Sequence, residues 1–386
     1  MESYFFFKEK STFLKCTKPV KATAYYQNFS IDLLTGKKES DDIDDLNLKL
    51  DQIKAFKESS SPRVTHFFYE YAQSFLKKKG SDEQVLAIDI LYSEVKWIEE
   101  FKTRDTLVHL ESEDLNREQY LKAFHQAQSY LEKGDCYQVN LTRRFKFKFK
   151  SDYDKIISSL FSKKESLGSF AHSSFIPHLD LLLLSNSPEC LFELNKNKIR
   201  AMPIKGTIGL KGKSLEEARD ELSESQKNRA ELDMITDLLR NDLSRIEKPN
   251  SKVIKRYSFL EVPGLLHQYS MIEQELSDQV SWFQIIRSLF PGGSITGAPK
   301  NRVIGIIESI EESPRGFYTG STLFDFKNTK AASINIRSSE WNLRTQRGLY
   351  GSGGGITLQS KGKEEFQEVL IKEQSFFKLL SKSFNS

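Results

Sequence analysis

The chain has little cysteine: Cys16, Cys136 and Cys190 are far apart, and none stands in a C-x-x-C spacing. That excludes a disulfide framework and a zinc finger, and it fits a reduced, cytoplasmic protein. No apolar stretch approaches the ~18 residues that a membrane-crossing helix needs. The Phe5-Phe6-Phe7 run has charges on both sides and no small-residue cleavage site after it, so no secretory leader is expected. The familiar hydrolase signatures are missing: no Ser-His-Asp order, no His-Glu-x-x-His, no cysteine in a glycine elbow. The glycine-rich stretch 291–300 is not a P-loop, because Ala298 follows Gly297 where lysine should stand. Net charge is +4 and spread along the chain, a weak basis for nucleic-acid binding. Repeats and low-complexity linkers are also missing.

What remains is a chain of 386 residues, 38% hydrophobic and 28% charged, long enough for a sizeable core. Short apolar strands are expected at residues 23–29 and 86–92, and an amphipathic helix at 64–79. Residues 41–51 are acidic and read as a solvated surface. Residues 116–133 predict a helix with Asn116 as N-cap and Gly134 as terminator. In 136–149, Phe145, Phe147 and Phe149 alternate with Lys146 and Lys148, the pattern of a half-buried strand. The second half alternates strands (180–185, 191–194, 334–338, 349–350) with helices (215–227, 228–242, 282–289, 300–310, 363–380). One large α/β domain with extensive sheet is the simplest account.

Several residues could carry chemistry. Lys205 lies in Pro203-Ile204-Lys205-Gly206-Thr207, where proline and glycine restrict and permit special backbone angles. It is expected on a tight loop at a strand end; an exposed turn lysine is the alternative. Glu189 in Ser187-Pro188-Glu189 follows a buried strand, where a raised pKa would suit a general acid, though a turn former reads the same. Glu231 shares a helix face with apolar residues, so its carboxylate needs a partner or a solvated edge. Asp237, Arg240, Asn241 and Asp242, next along, suit an ion-pair and capping network. Glu365, Glu368 and Lys372 lie on one helix line, as a salt-bridge ladder or as ligands. Glutamates from two helices suit Mg²⁺. Gly353 and Gly354 could aim backbone N–H groups at an anion or form a plain loop. Thr296 with the following helix start could bind a carboxylate, as could Arg337 in a strand. His267 follows a turn at 262–264 and is structural or catalytic.

Taken together, Gly134-Asp135-Cys136-Tyr137-Gln138-Val139-Asn140-Leu141, Ser187-Pro188-Glu189, Pro203-Ile204-Lys205-Gly206-Thr207, Ala230-Glu231 to Arg240-Asn241-Asp242, 290–300 and 352–372 resemble the chorismate-utilising enzymes. The likeness covers roughly residues 115 to 380 in the family's order. It implies two large, mostly antiparallel sheets packed as a sandwich with helices outside. Residues 1–110 would be a shortened N-terminal part and 111–386 the chorismate-binding catalytic region of the same unit. Lysine at 205, where anthranilate synthases typically carry alanine, points to the branch that converts chorismate and ammonia to 4-amino-4-deoxychorismate, toward 4-aminobenzoate and folate. Anthranilate synthase component I, or an isochorismate or salicylate synthase, is the alternative; a non-catalytic binding module belongs to another class.

The resemblance further implies Mg²⁺ held by Glu231 and Glu368 with Glu365 nearby, Glu189 as general acid, and Lys205 as nucleophile at C2. His267 matches the family's active-site histidine. Thr207, Tyr318, Arg337, Lys372 and the Gly353 and Gly354 amides would bind the substrate's carboxylates. Ammonia would come from a separate glutamine amidotransferase subunit or from solution. Three departures stand out: Asn228 replaces an acidic residue, Leu323-Phe324 replaces Gly-Tyr, and Ser244 replaces a glycine. A leucine-glutamate-serine motif for tryptophan is missing, so feedback by tryptophan is not expected.

Overall fold

The computed structural model describes residues 1–76, 82–248, 250–262 and 265–381. In the strand Gln138–Lys150 the alternation holds: Phe145, Phe147 and Phe149 are buried while Lys146, Lys148 and Lys150 are exposed. Phe147 packs edge-on against Trp341 at 4.7 Å and against Phe377 of the C-terminal helix Gly362–Leu380 at 5.1 Å. One wet and one dry face is therefore set by period-two patterning and a helix covering the dry side.

That strand begins a continuous antiparallel series. It pairs with Leu107–Glu113 on one side and Arg347–Ile356 on the other. From there the series runs through Ser338–Asn342, Leu181–Ser187 and Phe170–Ile176 to Glu2–Phe7. The long strand Thr12–Tyr25 pairs with Glu2–Phe7 along its first part and with Ala87–Ile98 along most of its length. It thereby joins a second series: Arg63–Phe67, Ser321–Phe326, Thr329–Ile334, Cys190–Asn195, Lys198–Ala201 and Leu265–Glu275. Leu265–Glu275 also pairs with Lys252–Val262 and Ile204–Gly209. The two series face each other. Phe5, Ile176 and Leu183 from the first share one buried cluster with Val64, Ile88, Ile90 and Phe324 from the second. Phe5 and Phe324 bring their ring centroids to 4.4 Å. The expected sandwich of mostly antiparallel sheets with outer helices is what the chain forms.

The helices cover the outside. Arg117–Glu132 starts with a capping box between Asn116 and Gln119. Trp282–Leu289 and Lys300–Ile310 have the expected bounds. Gln226–Ser244 lies over Ile204–Gly209 and Leu265–Glu275, and the buried Lys300–Asp242 pair at 2.6 Å ties it to Lys300–Ile310. Asp237 and Arg240 pair at 3.3 Å on its surface. Among the described residues, no helix is long and apolar enough to cross a membrane.

Four expectations need correction. Residues 41–51 are not simply a solvated surface: Ile43–Gln52 is a helix whose Ile43, Leu46 and Leu50 join the core. Residues 64–79 are not one helix: Arg63–Phe67 is a strand, Tyr69–Tyr71 a 3-10 turn and Ala72–Phe75 a single helical turn, with 77–79 outside the described residues. Residues 64–67 are buried on both faces and paired on both edges, so alternation is lost and the apolar spacing imitates a helix. The strand expected at 23–29 ends at Tyr25. The strand expected at 334–338 is two strands, with Arg337 at φ 49° in the joint between them.

Arg315 binds these layers together. Its guanidinium is 1% exposed; it donates to both Glu311 carboxylate oxygens (2.8 and 2.7 Å), to the Ile295 carbonyl (2.8 Å) and to the Asn140 carbonyl (2.8 Å). Removing it leaves Glu311 buried without its cation, which costs roughly 3–5 kcal/mol. Arg315→Ala is therefore expected to lower the free energy of urea unfolding by about that amount. A loss under ~1 kcal/mol would assign the fold's cohesion elsewhere.

Candidate active site

Lys205 does not sit on a free loop. It lies in the strand Ile204–Gly209, whose register against the neighbouring strand slips between Ile204↔Tyr269 and Thr207↔His267. That slip places Lys205 and Gly206 in a β-bulge, which re-aims side chains next to it. Gly206 has φ 80°, and a Cβ there would come within 3.2 Å of the Asn228 amide and 3.1 Å of Leu222. The Gln226–Ser244 helix, which carries Glu231, thus seals the outside of the bulge through Asn228. Immediately after the bulge, Thr207 Oγ1 and His267 Nδ1 lie 2.8 Å apart. The turn preceding His267 includes Pro263 and Gly264, which fall outside the described residues.

Glu189 stands at the end of the buried strand Leu181–Ser187. Its N–H donates to Ser187 Oγ at 3.1 Å, and its carbonyl accepts from Ile334 N at 3.0 Å, so both sheet series hold it. Burial pushes its carboxyl above the usual range, while the Ser294 hydroxyl and the charge of Lys205 pull the other way. A carboxyl whose pKa is raised by burial suits general-acid work. Ser294 was not among the expected residues. Its signal was slight, a lone hydroxyl after Gly292-Gly293.

Arg337 is exposed at the joint between two strands. Its charge is felt at two side chains from different elements, His267 and Tyr350. Burial first, then Arg337 and Lys8, depress the His267 pKa, so its imidazole is neutral at pH 7. Tyr318 is buried, and burial pushes its hydroxyl pKa up. Tyr350 donates its hydroxyl to the Lys372 carbonyl at 3.3 Å.

The glycine run is strand rather than loop: Gly353 and Gly354 pair with Thr142 and Leu141 in Arg347–Ile356. A Cβ on Gly354 would stand 3.2 Å from Glu365 Oε2, so the missing side chain leaves room beside that carboxylate. Glu368 and Lys372 form an i, i+4 pair at 2.8 Å, the ladder alternative, and Lys372 Nζ also donates to the Gly353 carbonyl at 2.8 Å. Lys372 is thus already committed to two acceptors. Thr296 is fully buried and donates its hydroxyl to the Gly292 carbonyl at 2.9 Å, bracing its own loop rather than facing a ligand. Among the described residues, no three His, Cys, Asp or Glu side chains converge as a metal-holding group.

The structure therefore brings Lys205 near Glu189, Thr207 onto His267, Arg337 near His267, and Glu365 and Lys372 against the glycine strand. Glu231 is half-buried on the helix above the bulge. A family profile described as chorismate binding enzyme matches residues 25–378. Aminodeoxychorismate synthase component 1 of Klebsiella aerogenes is 36% identical over 67% of this chain and 57% of its own length. The Escherichia coli K12 protein of that name is 35% identical over 70% and 59%. The chain thus spans somewhat over half the length of these curated relatives. In fold it resembles anthranilate synthase component I of Streptococcus pneumoniae (TM-score 0.78, 18% identity, covering 94% of this chain and 91% of that one). A 2,3-dihydroxybenzoate-specific isochorismate synthase from Bacillus anthracis gives TM-score 0.73 at 16% identity, covering 98% and 96%.

Two outcomes follow from the geometry. Alanine at 206 must hold a left-handed backbone and press on Asn228, so Gly206→Ala is expected to cost about 1–2 kcal/mol in thermal unfolding. No measurable loss would mean that the bulge relaxes freely. The raised Glu189 pKa means that the folded state binds more protons than the unfolded one above the usual carboxyl pKa, so Glu189 erodes stability as pH rises through that window. Glu189→Gln is expected to melt higher than the parent at pH 7.5, with the gain shrinking toward pH 4. An equal or lower melting temperature at pH 7.5 would show that the carboxylate is well solvated or paired.

Proposed function

This chain belongs to the chorismate binding enzymes, and from that premise we propose that it aminates chorismate at C4, giving 4-amino-4-deoxychorismate. The observation that carries the reading is Lys205 in a β-bulge, within electrostatic reach of the Glu189 carboxyl, whose pKa burial raises. The names of the curated relatives support the same chemistry.

Thr207 and Arg337 would hold the substrate's carboxylates, with His267 neutral and fixed by its contact with Thr207. Tyr318, Lys372 and the Gly353 and Gly354 amides complete the binding surface in this reading. Lys205 Nζ, once it has lost its proton, bonds to ring C2 as the C4–O bond breaks. Glu189 gives its proton to the departing hydroxyl, which leaves as water. Ammonia then bonds to C4, the C2–Nζ bond breaks, and the lysine amine is regenerated. Splitting one difficult displacement into two is what a covalent nucleophile offers. Glutamates from two helices supply the hard oxygen donors that a divalent ion takes, though as found their side chains do not converge on one point. Glu231, Glu365 and Glu368 would hold Mg²⁺, which when bound would neutralise the ring carboxylate of chorismate. The component 1 name of the relatives supports a second component, here a separate glutamine amidotransferase, for which free ammonia substitutes. All three cysteines are free and buried, as suits a cytoplasmic enzyme.

The test is incubation with chorismate, Mg²⁺ and ammonium, followed by product identification by mass. Aminodeoxychorismate is expected, with Lys205→Ala losing at least about a hundredfold in its formation. Anthranilate or isochorismate as main product, or unchanged turnover by Lys205→Ala, would overturn the proposal. Magnesium removal with EDTA is expected to abolish turnover and its return to restore it; full activity in EDTA would remove the metal from the scheme.

A further inference from the structure

Tyr318 sits in a segment that is neither helix nor strand, between the Lys300–Ile310 helix and the Ser321–Phe326 strand. Three consecutive backbone N–H groups ahead of it donate to carboxylates. Arg315 N reaches Glu70 Oε1 at 2.6 Å, Gly316 N reaches Glu70 Oε2 at 3.1 Å, and Phe317 N reaches Glu340 Oε1 at 2.9 Å. Glu70 lies in the Tyr69–Tyr71 turn that follows the Arg63–Phe67 strand, and Glu340 lies in the Ser338–Asn342 strand. Each of the two sheet series thus sends one carboxylate to the same short segment.

Successive backbone N–H groups in a turn make a concavity for anions, filled here by the protein's own side chains. Hydrogen bonds to an ionised acceptor are stronger than neutral ones, and Glu70 is 5% exposed, so little water competes for it. Gly316 lets both carboxylates close on the segment: its φ is 65°, and a Cβ there would strike Glu340 Oε1. Arg144 balances the charge, donating to the Pro314 carbonyl with its guanidinium 4.0 Å from Glu340. Tyr69 N donates to the Gly316 carbonyl at 2.8 Å and Thr319 N to the Asn335 carbonyl at 2.7 Å, so the backbone is fixed on both sides of Tyr318. The Tyr318 ring lies against Gly351, where a Cβ would overlap it, two residues before Gly353 in the same strand. Tyr120 is within electrostatic reach of Tyr318, Glu365 and Glu368.

We propose that Glu70 and Glu340 are positioning residues, which hold the 315–317 amides and thereby place Tyr318 for chorismate binding. What Tyr318 binds rests on the amination reading; what holds it does not.

The protein is labelled with 3-fluorotyrosine, and the Tyr318 signal is assigned in the fluorine NMR spectrum as the one that Tyr318→Phe removes. Glu70→Gln turns one acceptor oxygen into a donor. Glu340→Gln does the same at the less buried carboxylate and keeps the test open should Glu70→Gln fail to fold. Measurements are made at pH 8, above the value of about 7 to which burial pushes the Glu70 carboxyl. In each variant the Tyr318 signal is expected to shift or broaden. In chorismate turnover, Glu70→Gln is expected to raise KM at least about fivefold with kcat within about twofold, as Tyr318→Phe does. In the Tyr318→Phe background it is expected to add less than about twofold. An unmoved Tyr318 signal in both variants would overturn the proposal, as would KM effects that multiply in full in the double variant. A parent protein that does not turn over chorismate would sink the amination reading instead, and the fluorine signal would then decide alone.

Discussion

The buried guanidinium of Arg315 is the constraint on which the rest depends. It reaches a helix end through Glu311, the Gln138–Lys150 strand through Asn140, and the 292–297 loop through Ile295. Its own N–H and that of Gly316 donate to Glu70, whose carboxyl burial pushes up to about 7. Glu311 also accepts from Thr142 N at 2.8 Å. A planar group with five donors can satisfy acceptors from several elements at once, which an ammonium cannot. The loop carrying Ser294 and the segment leading to Tyr318 are both fixed by this junction, so the proposed site inherits its geometry from a charge cluster outside it.

Within the site, the fold keeps two local conflicts. Gly206 holds a left-handed backbone in a strand, and Glu189 is a carboxyl placed where its charge is unfavourable. Either alone would weaken a structural element. Stability alone would not select either, which is what the proposed nucleophile beside a proton donor would explain. The Glu368–Lys372 pair is a quieter case. As found it is a helical ion pair, and a metal at Glu368 would have to compete with that lysine.

How much was legible in the sequence depended on whether the signal was local. Trp282–Leu289 and Lys300–Ile310 were legible in full, because helical spacing of apolar residues needs no partner. The Phe145/Lys146 alternation was legible for the same reason. Arg63–Phe67 was not, because burial on both faces removes the alternation that marks a strand. The Lys205 bulge was misread as a loop: a register slip belongs to a pair of strands, and His267 lies 62 residues further on. The motifs named candidate site residues by their order in the chain. They did not reveal that Thr296 spends its hydroxyl on Gly292 or that Asn228 closes the bulge. Those are facts of packing, and no spacing rule carries them.

The account rests on Lys205 as a nucleophile, and that is most directly tested on the protein itself. Chorismate and Mg²⁺ are supplied without any ammonia, the reaction is acid-quenched, and the protein is digested for peptide mass analysis. The account predicts that the peptide containing Lys205 gains the mass of chorismate less one water, and that added ammonium discharges it. If no peptide gains that mass while the same preparation forms aminodeoxychorismate once ammonium is present, the covalent role of Lys205 is contradicted.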